Sequence, residues 1–236
     1  MKIDLIALSF ILVLIPSLIT YKLQIGKEIL KNSIRALIQL TILGFVLGAL
    51  FEIKNPIFYI PIILFMLLYS AFIAKKRTNY SFKAAFLSIS LSTIIILTIL
   101  ITFHIISLKA NEFIPIAGMI IGNSLNTYTL TIERLKREIE LQKELIEAFV
   151  AIGANYKDAL KIMQKEAIKA ALIPVNNMLQ TIGIVAIPGI TTGMLLAGAS
   201  PLKAVSYQII IIYMLVSINL FSALFGSYFF ISGKIR

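Results

Sequence analysis

The sequence predicts an all-α, polytopic membrane protein with about seven transmembrane helices, its N-terminus outside, its C-terminus inside, and a cytoplasmic helical segment near the middle. Three observations carry this expectation. Hydrophobic residues make up 59% of the 236, with a mean hydropathy of +0.95, which is more apolar surface than a soluble core of this size can bury. Runs with few or no charges recur at 5–21, 36–51, 55–74, 84–108, 113–132, 170–202 and 204–233, and a helix that crosses a bilayer needs about 20 apolar residues. The basic residues then favour alternate joints. Lys22, Lys27, Lys31 and Arg35 follow the first run, Lys75, Lys76, Arg77 and Lys83 the third, eight more the fifth, and Lys234 and Arg236 the seventh, together 18 of the 22 Lys and Arg. Lys2, Lys54, Lys109 and Lys203 occupy the other side. The positive-inside rule makes the richer side cytoplasmic. Topology and the lipid bilayer therefore account for the net charge of +11, and no nucleic-acid partner is needed. Without cysteine there are no disulfides and no thiolate metal sites.

The first run begins at Asp4 without a basic leader or small-residue cleavage site, and is expected to be a retained span. Span two opens with Arg35, carries Gln39 and closes at Glu52. Span three follows Pro56 and ends at Lys75-Lys76-Arg77. Span four is rich in Ile and Leu, with Ser88, Ser90, Ser92, Thr93 and Thr98 as its polar content; His104 near its outer end is expected to sit at the interface. Span five differs in kind, because Gly118-Met119-Ile120-Ile121-Gly122-Asn123-Ser124-Leu125-Asn126-Thr127 places small and amide residues in a membrane helix. The glycine spacing suits close helix approach, and amides in lipid demand partners or a wet pathway.

The sixth run repeats that polarity with Asn176, Asn177, Met178 and Gln180 after Pro174. Its 33 uncharged residues, 170–202, are too long for one crossing at a rise of about 1.5 Å per residue. A helix break is expected at Pro188-Gly189, since proline removes a donor and glycine tolerates unusual backbone angles. Residues 191–198 would then form a short or re-entrant helix before span seven. The candidates for a solute pathway are Asn123, Asn126, Asn176, Asn177 and Met178, with Met119 and Gln39 next. Each of them serves equally well as hydrogen-bonded packing between helices.

Residues 133–169 hold 15 of the 33 charged residues, eight basic and seven acidic, a balance that argues against a simple anionic-lipid anchor. Leu135, Ile139, Leu141, Leu145, Ile146 and Phe149 follow roughly helical spacing, and Glu133–Arg137 and Glu140–Lys143 are placed to pair. Span five is expected to continue as a helix into the cytoplasm. Gly153 ends the pattern, Asn155 is placed to cap a new helix, and Tyr156, Leu160, Met163 and Ala167 form its apolar stripe into span six.

Glu147-Ala148-Phe149-Val150-Ala151-Ile152-Gly153-Ala154, followed by an amphipathic helix, resembles the EAA-type loop of ABC-transporter permeases, although Phe149 stands where a second alanine is usual. Further segments extend the likeness: Arg35-Ala36-Leu37-Ile38-Gln39-Leu40, Gly118 to Ser124, Ile132-Glu133-Arg134-Leu135, Ala171-Leu172-Ile173-Pro174, Pro188-Gly189-Ile190-Thr191-Thr192-Gly193, Leu196 to Pro201 and Tyr207-Gln208. Read together, these segments resemble the FetB-like permease family, whose members include a bacterial iron exporter and a plant permease linked to aluminium tolerance. One departure is Ile190-Thr191, where members often carry methionines. The resemblance implies a single permease domain over 1–236 that pairs with a separate cytoplasmic ABC ATPase and exports iron or another metal. It implies ATPase coupling through Glu147, Gly153, Ala154, Tyr156 and Leu160 in the 133–169 segment. The chain itself would bind no cofactor, ATP and Mg would sit on the ATPase, and the permease would act as a homodimer.

Two other function classes compete. A stand-alone secondary transporter driven by protons would normally place Asp or Glu inside its spans, whereas the acidic residues here lie at joints and in the charged segment. A membrane-embedded enzyme would need a reactive constellation, and HExxH and GxSxG are absent while His104 stands alone. GxxxxGK[ST] is also absent, so ATP hydrolysis belongs to a partner. No compact carboxylate or histidine cluster marks a tight metal site, and metal ligands are not identified.

Overall fold

The computed structural model describes the backbone of residues 3–53 and 55–234 and the side chains of 9–53 and 55–233. Lys2, Lys54, Lys234 and Arg236 of the topology argument lie outside the described side chains. The regular elements of the described residues are all helices, with no strand and one isolated bridge between Ile182 and Ala186. They form two compact units, Met1–Lys54 and Asn55–Arg236.

The first unit is a helical hairpin. Helix α1 (Ile3–Ile19) contains Pro16, a 3-10 turn covers Tyr21–Leu23, and α2 runs Ile25–Phe51. Gln24 adopts a left-handed conformation (φ 61°) to reverse the chain. Immediately after it, Gly26 lies so close to α1 that a Cβ there would fall 1.9 Å from the Ser17 carbonyl oxygen, so only glycine fits.

The second unit begins with a 3-10 turn at Pro56–Phe58, where the Asn55 side chain accepts from Ile57 N at 3.0 Å, and continues into α3 (Tyr59–Thr78). Helix α4 (Phe82–Thr102) starts at a Ser81 cap and ends before His104, which is exposed with φ 53°. The long α5 (Ala110–Leu141) packs against α3, α4, α8 (Lys161–Thr181) and α10 (Pro201–Lys234). Between α5 and α8 lie two short helices, α6 (Lys143–Ala151) and α7 (Tyr156–Ala159); α9 (Gly189–Leu196) precedes α10. Buried Ala71, Ala74, Ala85, Ala117, Ala167 and Ala223 let these helices approach closely.

The helices at Ile25–Phe51, Pro56–Thr78, Phe82–Thr102 and Pro201–Gly233 are long and apolar enough to cross a membrane, and Ser9–Ile19 is a shorter apolar stretch. Helices α5 and α8 are long but carry too many polar groups to qualify on composition. That combination of length and buried polarity makes them the helices of interest.

Two sequence expectations change. The break in the sixth run occupies 182–188, beginning at Ile182, whose backbone is extended, and Gly183, whose φ is +83°. Pro188 and Gly189 form the downstream edge of that break: Pro188 is the N-cap of α9, where its missing N–H breaks no intrahelical bond, and Gly189 is the first helical residue. The charge pairs also differ. Among the described residues the ion pairs are Lys143–Glu147 (3.7 Å), Lys161–Asp158 (2.7 Å) and Lys169–Glu166 (2.8 Å). Glu140 and Lys143 do not pair, because the helix is interrupted between them at Gln142 (φ −112°, ψ 26°). Glu133 and Arg137 are exposed and unpaired, as expected where an ion pair in water gains little over solvation.

Candidate functional site

Helix α5 continues unbroken for 32 residues, from its apolar end to the charged end of the bundle. A helix 1.5 Å long per residue therefore carries one side-chain face through about 48 Å. On that face, polar groups meet those of α10, which in turn bonds to α8. Ser124 Oγ donates to Ser222 Oγ (3.1 Å), and Ser222 Oγ donates to the Ser124 carbonyl (2.7 Å). Thr127 Oγ1 donates to Asn219 Oδ1 at 2.5 Å, and Gln164 Nε2 of α8 donates to Ser227 Oγ at 2.9 Å. Asn219 is 7% exposed, and Ser124, Ser222 and Ser227 are fully buried. Unpaired hydroxyls and amides in apolar surroundings are costly, so mutual pairing is what allows this seam inside the bundle.

Beside the seam lies a cavity of about 230 Å3, walled by Asn123, Asn126, Thr127, Met178 and Asn219 among others. Asn123 Nδ2 donates to the Met119 carbonyl at 2.8 Å, which leaves its side-chain oxygen as the acceptor it can offer a solute. Pro174 is also in the wall, and because proline has no N–H, the Ala170 carbonyl loses the donor that position 174 would supply. An adjoining cleft of about 510 Å3 shares Met178 and Leu215 with this cavity and is lined mainly by apolar groups, including Met119, Ile190 and Ile211. Its polar side chains are Thr181, which donates to the Asn177 carbonyl at 2.9 Å, and Gln208, which accepts from Thr191 Oγ1 at 3.3 Å.

The structure thus brings Asn123, Asn126 and Met178 together in one cavity and places Met119 in the cleft beside it. Asn176 and Asn177 lie on exposed faces of α8 and line neither space. Gln39 belongs to α2 in the first unit. Thr127 and Asn219 are the additions. Asn219 is one of two amides in the apolar run 204–233, and Gln208, Asn219 and Ser222, spaced 11 and three apart, fall on one helical face.

At the charged end, α6 closes with Gly153 at φ +92°, Ala154 N donating to Phe149 O and Gly153 N to Val150 O, both at 3.0 Å. This is the paired-bond C-cap that a left-handed glycine permits. Asn155 then caps α7, accepting from Lys157 N at 3.1 Å. The turn exposes Val150 (43%) and Ile152 (81%). Glu147, Gly153 and Ala154 lie on or beside that surface, and Tyr156 and Glu147 border a cleft of about 580 Å3 with Lys136, Ile146 and Phe230. Leu160 has a different role: it is fully buried, in one core with Met163, Tyr128 and Ile132. Lys136 Nζ donates to the carbonyls of Thr78 (2.7 Å) and Asn79 (3.3 Å), placing its charge at the C-terminal end of α3.

Comparison with known proteins follows the same lines. The profile of the uncharacterised protein family UPF0014 matches residues 3–233. The chain is 35% identical to "UPF0014 membrane protein YjkA" of Bacillus subtilis, over 88% of this chain and 85% of that one. It is 35% identical to "Probable iron export permease protein FetB" of Escherichia coli, over 94% and 88% of the two chains. With "Protein ALUMINUM SENSITIVE 3" of Arabidopsis thaliana the identity is 30%, over 94% and 83%. No solved structure matches.

Proposed function

The chain belongs to the UPF0014 family and is a multi-pass membrane protein, and from that premise we propose that it is the permease subunit of an ABC transporter, exporting iron or another metal with energy from a separate ATPase. One observation carries the reading. Two of the three helices that wall the amide-lined cavity, α5 and α8, are joined by the α6–α7 segment, whose turn exposes Val150 and Ile152, while α10 supplies the third wall through Leu215 and Asn219. An ATPase that moves this turn pulls on α5 and α8 at once, against α10. Glu147, Gly153 and Ala154 would form the docking surface, with Tyr156 behind it; Leu160 would anchor the segment to the bundle. ATP and Mg2+ belong to the ATPase, and a pair of permeases would meet a pair of ATPases with two-fold symmetry in the cell membrane. The named iron export permease among the relatives supports the choice of cargo.

The test is co-purification with the stand-alone ABC ATPase of the same organism. Ile152→Asp together with Val150→Asp should abolish it while thermal unfolding in detergent stays within a few degrees of the parent. Full retention of the ATPase by that variant would sink the docking assignment. Metal efflux from cells carrying Asn123→Leu at normal protein levels tests the pathway separately, and unchanged efflux would remove Asn123 from it.

A further inference from the structure

The amide-lined cavity and its neighbouring cleft differ in polarity and share a wall. The first offers the side chains of Asn123, Asn126 and Asn219; the second offers Met119, Ile190 and Ile211; Met178 and Leu215 border both. Neither lining contains Asp, Glu, Lys, Arg or His. Among the described residues no group of three or more His, Cys, Asp or Glu is placed to hold a metal ion. A multivalent cation stripped of water needs anionic ligands to offset its desolvation, and neutral amides with a thioether do not supply them. They do suit an uncharged head that both gives and takes hydrogen bonds, since Asn123 keeps an acceptor oxygen and Asn219, whose oxygen is taken by Thr127, keeps its N–H donors.

We propose that this site binds its solute as a charge-neutral amphiphile, with a hydrogen-bonding head between Asn123 and Asn219 and an apolar body against Met119, Met178 and Ile211. For a metal cargo, the bound species is a neutral chelate and not the bare cation. The inference rests on the permease reading of this cavity, yet it concerns binding to the chain alone. A protein that binds the chelate but moves nothing with an ATPase would overturn the transport reading and leave this one standing.

The chain has no tryptophan, so Leu130→Trp, on the cavity wall, supplies a single fluorescent reporter in the purified full-length protein. Neutral iron(III) tris(8-hydroxyquinolinate) should quench it saturably, and ferrous ion alone should not. Asn219→Leu should weaken chelate binding at least fivefold. Asn219→Asp keeps an acceptor for Thr127, so it serves where the leucine variant fails to fold. It should also weaken the chelate fivefold or more while giving ferrous ion measurable, saturable binding. Competition with dioctanoylglycerol separates two sources of such a ligand: displacement indicates an amphiphile drawn from the membrane, and its absence one delivered from water. Saturable binding of ferrous ion to the parent reporter, or chelate quenching equal in all variants, overturns the proposal; the latter outcome means binding of an adventitious additive only.

Discussion

Thr127 and Asn219 show what a single pair contributes to a helix seam. Replacing Thr127 by Val leaves the buried Asn219 amide without its donor. The expected loss is about 0.5–2 kcal/mol of stability, since hydrogen bonds between membrane helices are modest but orphaned groups are penalised. Leu160→Ala should cost more, about 2–5 kcal/mol, because it opens a hole in a fully packed core. Chemical denaturation in detergent ranks the two. It also separates roles in the charged segment: loss of ATPase association should accompany destabilisation at Leu160 but occur without it at Ile152. The apolar spacing marked Leu160, and Ile152 stood in the stretch that resembles the EAA-type loop. Only their surroundings distinguish a core leucine from an exposed isoleucine.

At the scale of elements, the α6–α7 turn depends on one backbone angle. Gly153→Ala forces a Cβ into the left-handed region at φ +92°, where L residues are disfavoured by about 1–2 kcal/mol. We expect a small loss of overall stability and a larger loss of ATP-dependent transport, measured on the same preparation; unaltered transport would show that the turn need not hold this shape. The first half of α8 also carries an exposed ion pair, Lys169–Glu166. The hydrogen bond from Lys169 holds the Glu166 carboxyl below its ordinary range, against a smaller opposing effect of desolvation. A lowered carboxyl pKa contributes stability above the unfolded value, about 4.3 for Glu, and loses it as pH falls through the folded value. That contribution is constant from pH 6 to 8, so Glu166→Gln should leave the pH profile of transport unchanged over this range. The helix break shows why boundaries are harder to read than breaks themselves. Proline and glycine at 188–189 announced an interruption, but a left-handed Gly183 allowed the chain to leave the helix earlier.

For the whole molecule, ATP-dependent efflux should require both the charged turn and the polar cavity, and the isolated chain in liposomes should not transport under a proton gradient. Proton-driven transport by the chain alone would restore the secondary-transporter reading. The all-α membrane class was legible in sequence because apolar run length and the placement of Lys and Arg are set by the bilayer itself, which acts on each segment separately. So were the continuation of span five beyond its apolar stretch and the Gly153–Asn155 turn, since caps and periodicity are local. Asn123, Asn126 and Met178 were legible as polar residues in apolar segments. That they share one cavity was not. Asn219 joins them, Asn176 and Asn177 do not, and Leu160 is core, because those outcomes depend on how α5, α8 and α10 rotate against one another. The sequence alone determined which segments must leave water and which must return to it; tertiary packing decided which polar groups satisfy one another and which are left facing a space a solute can fill, because each helix's facing is set by its neighbours.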